Sequence, residues 1–271
     1  MPELPEVEIV KQGLLKNIQG LTVKKVSVFS EKLRFIIPEN IISDLEKKKI
    51  KGILRRGKHG IILTNGQYHL HFHLGMTGYF KIFESRYIKN KHDHLMINFH
   101  NHTSLIYNDV RKFGYFSMLK KPIDIANFKN LGFEPNHLFL EKKRINRKFS
   151  GKSRTIKNIL LDQTIISGIG NIYACEILYD AKILPTRSGN NIKKNELNKI
   201  LESAVKVLNK AIEKGGTTIR DYKNIEGNLG YFQNEFKVYD RKGLPCFKCE
   251  SLIIRIKQSG RSTYYCPNCQ I

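Results

Sequence analysis

The chain has no apolar run approaching about 18 residues, the length a membrane-crossing helix requires, so none of its 271 residues read as a membrane span. Its first eight residues, Met1-Pro2-Glu3-Leu4-Pro5-Glu6-Val7-Glu8, lack the basic start and apolar stretch of a secretory signal and hold two prolines and three carboxylates instead. Acidic residues are scarce beside basic ones: Asp plus Glu number 24 against 47 Lys plus Arg, a formal net charge of +23. An excess of that size implies a polyanionic partner. Nucleic acid is the leading reading and an anionic membrane surface the weaker one. Five cysteines without a secretory signal point to a reducing compartment, and there to metal ligands or free thiols rather than disulfides.

What is present reads as two folded regions and a small third module. Pro5 suits the first turn of a helix, Glu6 and Glu8 suit its positive end, and Val7, Val10 and Leu14 fall on one face. After Gly20 the pattern shortens. Val23, Val26 and Val28, then Leu33, Phe35 and Ile37, then Ile50, Ile53 and Leu54 sit in short runs. Ile61-Ile62-Leu63 and Tyr68-His69-Leu70-His71-Phe72-His73 flank an Asn65-Gly66 turn. Further strands are predicted at 79–83, 94–99, 104–107 and 115–119, and the series reads as a β-sandwich or barrel. Residues 122–150 read as a connector. From Thr155 the period becomes helical, and 195–214 form an amphipathic helix stopped by Gly215-Gly216.

Several strings carry chemistry. With Met1 removed, Pro2 would expose a secondary amine; an α-amino group titrates near pKa ~8, so a neutral fraction is available to attack an aldehyde-level carbon and form an iminium. Glu3 beside it can move protons. Cys246-x2-Cys249-x16-Cys266-x2-Cys269 is a four-thiolate set with the spacing of a structural zinc site, closed to water and so not catalytic. The segment between its knuckles reads as a β-hairpin with Gly260-Arg261 at the tip. His69, His71 and His73 alternate along one strand and point to one face, a stripe that can hold a metal or be local variation at a polar face. Gly168-Ile169-Gly170-Asn171 precedes a helix, with Asn171 placed as its N-cap and the helix start open to a phosphate. Between 141 and 157 stand eight Lys/Arg and one Glu, a solvated face or a phosphate-facing hinge.

The N-terminal octet, Arg55-Arg56-Gly57-Lys58, His73-Leu74-Gly75-Met76, Lys91-His92-Asp93-His94, Asn108-Asp109-Val110-Arg111-Lys112-Phe113-Gly114, Gly168-x-Gly170-Asn171-x-Tyr173-Ala174 and the paired Cys knuckles occur in one chain in this order. Together they resemble the formamidopyrimidine-DNA glycosylases, bacterial enzymes that excise oxidised purines and nick the strand. The resemblance spans the whole chain. It implies an α+β, multi-domain fold: an N-terminal β-sandwich with a leading helix at 1–130, a helical helix–two-turn–helix region at 131–235 and a zinc hairpin at 236–271. It implies Pro2, Glu3, Lys58 and Arg261 as catalytic residues, and Met76, Arg111 and Phe113 as side chains that enter the duplex when a nucleotide is everted. His92, Lys152, Lys157 and Asn171 are the other implied DNA contacts, and the 217–231 loop is implied to close over the everted base. One structural Zn²⁺ on the four cysteines, duplex DNA with oxidised purines as partner, no membrane, a monomer and a bacterial cytoplasmic location complete the expectation. Lys112 stands where the family carries a second Arg, which keeps the charge and loses the fork geometry. No metal is implied at the histidine stripe, of which only His73 matches.

Two alternatives stay open at this point. One is the endonuclease VIII type of glycosylase, acting on oxidised pyrimidines with the same machinery; Leu4 and the Met76/Arg111/Phe113 set favour the purine enzyme. The other is a non-catalytic zinc-finger DNA-binding protein, which intact Pro2 and Glu3 oppose.

Overall fold

The structure is a computed structural model that describes residues 2–84, 87–120, 128–137, 141–149, 152–217 and 230–271. The chain packs as two units: one runs to Lys129 and takes in Lys214–Tyr231, the other comprises Asn130–Glu213 and Phe232–Ile271.

The first unit begins with helix α1 (Leu4–Ile18). Glu3 and Glu6 form a capping box and proline occupies the first turn, so the orphan N–H groups at this end are satisfied locally. Val7, Val10, Leu14 and Ile18 recur at helical spacing and are all buried. Strands β1 (Val23–Val28), β2 (Ile50–Arg56), β3 (His59–Thr64), β4 (Tyr68–His73), β5 (Tyr79–Phe83), β6 (Asp93–Phe99), β7 (Ser104–Asn108) and β8 (Tyr115–Lys120) follow. They form two four-stranded antiparallel sheets, ordered β1-β6-β7-β5 and β2-β3-β4-β8. Val26, Leu95, Ile97, Leu105 and Tyr107 of one sheet share a core with Ile53, Ile62, Leu70, Phe72 and Phe116 of the other, and α1 packs into the same cluster. This is the β-sandwich with its leading helix. Period-two alternation turns Leu70 and Phe72 into that core and His69, His71 and His73 to the opposite face of β4.

Residues 33–37 do not form the expected strand. They make one isolated bridge, Lys32↔Ile36, with Leu33 and Ile37 buried and Phe35 and Ile36 exposed. Pro38, which has no N–H to give a ladder, starts a turn instead, and a short helix α2 (Ile41–Leu45) follows it.

The second unit holds α3 (Lys142–Phe149), α4 (Ile156–Leu160), α5 (Asn171–Asp180) and α6 (Lys194–Glu213), then the hairpin β9 (Ile254–Gln258) and β10 (Arg261–Tyr265). Helix α6 buries Leu197, Ile200, Leu201, Ala204, Leu208 and Ala211 along one stripe. The cysteine module is part of this unit's packing: Cys175 and Tyr179 of α5 share a cluster with Val238, Cys246, Ile253, Tyr264 and Cys266. Among the described residues no helix is long and apolar enough to cross a membrane.

Candidate functional site

Pro2 and Glu3 are buried at the N-terminal end of α1. The Glu6 carboxylate fastens this end twice, accepting the Glu3 N–H at 2.8 Å and the Thr217 N–H at 2.9 Å. Two residues on, Glu8 accepts from Arg55 Nε at 2.7 Å and from Lys11 Nζ at 2.8 Å. Burial pushes the Glu8 carboxyl up, but those two hydrogen bonds and their charges outweigh it and hold the group below its ordinary range. Arg55 also donates to the Gly57 carbonyl at 3.0 Å. A single guanidinium thus ties the helix that opens with Pro2 and Glu3 to the β2–β3 turn that carries half-buried Lys58.

The next residue, His59, pairs with His73 across the β3–β4 ladder. That register gathers half-buried His59 and His73 with buried His71 into one cluster. His59 stacks on His71 with ring centroids 5.1 Å apart and lies 5.0 Å from His73, and Phe128 closes over His59 and His71. His59 Nδ1 and His71 Nε2 are 3.0 Å apart, and His71 Nδ1 bonds Ser117 Oγ at 2.7 Å. Burial pulls the imidazoles down to about 4 for His59, about 3 for His71 and about 3 for His73. Lys58 and Arg56 add to the depression at His59, His59 adds to it at His71, and His59, Lys58, His71 and Arg34 add to it at His73. The stripe is therefore a packed cluster of uncharged imidazoles and not a solvated polar face. Among the described residues the one group able to hold a metal is the cysteine tetrad. His59 escaped the reading of the stripe because only the hairpin register brings it there.

Met76 and Phe113 are large apolar side chains left 37% and 43% exposed, which makes both available to a partner. They stand on two turns, 74–78 and 109–114. Exposed Arg111 lies over the Phe113 ring, 4.8 Å from its centroid. His92 is half-buried and its carbonyl accepts the Asp109 N–H at 3.1 Å. Its neighbour His94, to which the sequence lent no role, is buried and spans Ser30 Oγ at 2.7 Å and the Asp109 carbonyl at 2.8 Å.

In the second unit the α4–α5 turn is built by Gln163, which accepts the Gly168 N–H and donates to the Ile169 carbonyl, both at 2.8 Å. Gly168 sits at φ +93°, a conformation that suits only glycine. Asn171 is not the N-cap: Gly170 takes that place and Asn171 is the first helical residue. Its side chain is used elsewhere. Oδ1 accepts from Lys157 Nζ at 2.7 Å and Nδ2 donates to the Ser262 carbonyl at 2.9 Å. Lys157, expected among the DNA contacts, has 0% of its surface exposed, and its ammonium also donates to the Ser262 carbonyl at 3.0 Å and Thr263 Oγ1 at 2.7 Å. Lys152 is half-buried, and Arg261 is exposed where β10 begins, paired with Gln258.

The four cysteine sulfurs all lie within 4.8 Å of one another, with Cys246–Cys269 at 3.8 Å and Cys249–Cys266 at 3.4 Å. A tetrahedron of Zn–S bonds near ~2.3 Å places sulfurs about 3.8 Å apart, so the set fits such an ion. The N–H groups of Lys248 and Cys269 point at Cys246 Sγ and Cys266 Sγ. The expected 217–231 loop lies outside the described residues except for Thr217, Gly230 and Tyr231.

Comparison with known proteins agrees along the whole chain. Residues 1–116 match the formamidopyrimidine-DNA glycosylase N-terminal domain, 131–223 the formamidopyrimidine-DNA glycosylase H2TH domain, and 243–271 a zinc finger found in FPG and IleRS. A formamidopyrimidine-DNA glycosylase of Rickettsia conorii is 40% identical over all of this chain and 99% of its own, and one of Rickettsia felis is 40% identical over 98% of its own. Among solved structures, a Lactococcus lactis Fpg in complex with DNA containing an abasic site superposes with a TM-score of 0.92 at 36% identity, covering 99% of both chains. The same protein bound to DNA with an oxidised pyrimidine gives 0.91 at 35% over 99% of both.

Proposed function

The chain belongs to the formamidopyrimidine-DNA glycosylase family, a DNA glycosylase with AP lyase activity that acts on damaged bases, and we propose that it removes oxidised purines from duplex DNA by a Schiff base on Pro2. The observation that carries this reading is the junction of Pro2 and Glu3 with the Lys58 turn through Glu8 and Arg55. With its amine free, Pro2 nitrogen attacks C1′ of the damaged nucleoside as the C1′–base bond breaks. Glu3 takes the amine proton and returns protons as the sugar opens, and the product is an iminium. The positive iminium makes the C2′ proton acidic, so its loss expels the 3′ phosphate and a further elimination expels the 5′ phosphate. Lys58 and Arg261 assist those two steps.

Met76, Arg111 and Phe113 fill the gap left by the everted nucleotide, two as apolar wedges and Arg111 as hydrogen-bond partner of the orphaned base. Asn171, His92 and Lys152 meet phosphates. Lys157, being buried, serves them by holding Asn171 and the hairpin backbone. Zn²⁺ on Cys246, Cys249, Cys266 and Cys269 is structural: it fixes the fold of the hairpin that presents Arg261. In the domain scheme 1–130, 131–235 and 236–271, the first segment carries Pro2, Glu3, Lys58, His92 and the inserting side chains, the second carries Lys152 and Asn171, and the third is the zinc hairpin with Arg261. The protein works as a monomer in the bacterial cytoplasm, where its DNA lies.

A second reading has one specific support: the Lactococcus lactis relative is seen bound to an oxidised pyrimidine. Nicking of duplexes that each carry one defined lesion, with the opposite base varied, separates the two. Our reading predicts faster turnover of 8-oxoguanine and formamidopyrimidines opposite C than of any oxidised pyrimidine, and the reverse order would replace it with the endonuclease VIII type.

A further inference from the structure

We propose that Asp109 is a positioning residue that locks the turn carrying Met76 to the turn carrying Arg111 and Phe113, so that the three enter DNA as one rigid head; this rests on the reading above that they do enter DNA. The carboxylate is wholly buried between the two turns. Its Oδ1 accepts the Thr77 hydroxyl at 2.5 Å and the Arg111 N–H at 3.2 Å. Its Oδ2 accepts the Gly114 N–H at 2.8 Å and the Tyr107 hydroxyl at 3.4 Å. Thr77 directly follows Met76, and Arg111 and Gly114 bracket Phe113. The Arg111 N–H also reaches Thr77 Oγ1 at 3.2 Å, so the two turns are stitched by a closed ring of donors and acceptors.

The surroundings leave the two turns no room to slide. Gly75, at φ +64°, lies against the Phe113–Gly114 peptide so closely that a Cβ would strike the Phe113 carbonyl carbon. The Tyr107 hydroxyl fits against Gly78 of one turn and Gly114 of the other, where a Cβ on either would strike it. Asp109 itself is held by its backbone: its N–H goes to the His92 carbonyl and its carbonyl meets His94 Nε2. Between Arg111 and Phe113 the chain reverses at Lys112, at φ +54°, a region that a lysine occupies only when its surroundings impose it. A carboxylate suits this place because every group facing it is a donor. An amide would turn an NH2 toward either the Arg111 N–H or the Gly114 N–H, donor against donor.

The test is single-turnover cleavage by the parent, Thr77→Val, Asp109→Asn, the double variant and Phe113→Ala on an 8-oxoguanine·cytosine duplex and on a single-stranded abasic strand. The second substrate needs no eversion. Thr77→Val and Asp109→Asn should each slow the duplex about tenfold, the rate equivalent of one buried hydrogen bond lost, and stay within about twofold of the parent on the single strand. The double variant should be no slower than Asp109→Asn, since both break the same contact. Thr77→Val preserves side-chain shape and keeps the test valid if Asp109→Asn does not fold. Parent-like duplex rates for Thr77→Val beside a slow Phe113→Ala would overturn the lock. Equal losses on both substrates would do so too, reducing Asp109 to a fold residue. A parent-like Phe113→Ala would instead defeat the insertion reading, and the lock with it.

Discussion

Lys157 donates to Asn171 across 2.7 Å, and both side chains bond the carbonyl of Ser262, the residue after Arg261. The helix–turn–helix and the zinc hairpin are thereby registered by one buried ammonium. Lys157→Met should leave Asn171 Oδ1 and Thr263 Oγ1 without their donor, at a cost of about 1–3 kcal/mol, and should weaken binding to lesion DNA. Lys157→Arg should not rescue it, because a rigid planar fork cannot replace a compact ammonium with three acceptors around it. Melting temperature and DNA affinity measured together check this. Parent-like affinity for Lys157→Met would show that the register does not matter.

The histidine cluster makes the first unit acid-sensitive. An unfolded imidazole titrates near ~6.5, whereas the folded ones are held down to about 4 and about 3. Between those values the unfolded chain binds more protons, so acid favours unfolding. The cluster's contribution is complete above pH ~6.5 and is lost as pH falls toward the folded values. Buried His71 alone should contribute a slope of up to about 1.4 kcal/mol per pH unit in that window. The melting temperature should therefore drop from pH 7.5 to 5 more steeply for the parent than for His71→Leu. Parallel curves would mean that the imidazoles are not held neutral.

Loss of the metal should be local in effect. Cys249→Ser, or removal of the ion by a chelator, should release zinc and most lesion-DNA affinity while the sandwich stays folded, because a short hairpin cannot keep its shape without the pin. Metal content, the melting of the sandwich and DNA affinity report these three effects. A metal-free protein of normal affinity would contradict the role given to the hairpin.

Much of this was legible beforehand, for definite reasons. Helix α1 and most strands showed because Val7, Val10, Leu14 and the alternating β4 residues follow the period of their element. The tetrad showed because knuckle spacing is itself the geometry. What failed depended on tertiary placement. Leu33, Phe35 and Ile37 alternate like a strand, yet among the described residues the segment's one bridge, Lys32↔Ile36, folds it back on itself and pairs it with no neighbouring strand. Asn171 has the composition of an N-cap, but Lys157 and Ser262, distant in sequence, claim its side chain. His59 joins His71 and His73 only through the β3–β4 register, and Asp109 reads as one letter of a motif until its four donors are seen around it.

The proposed chemistry depends first on Pro2 nitrogen being the nucleophile. Protein whose N-terminus has been verified to begin at Pro2 should be incubated with 8-oxoguanine duplex and borohydride, and the reduced protein–DNA adduct digested and mapped by mass spectrometry. One adduct is expected, on the peptide that begins with Pro2-Glu3-Leu4, absent from protein that retains Met1. An adduct on Lys58, or undiminished trapping by the Met1 form, would contradict it.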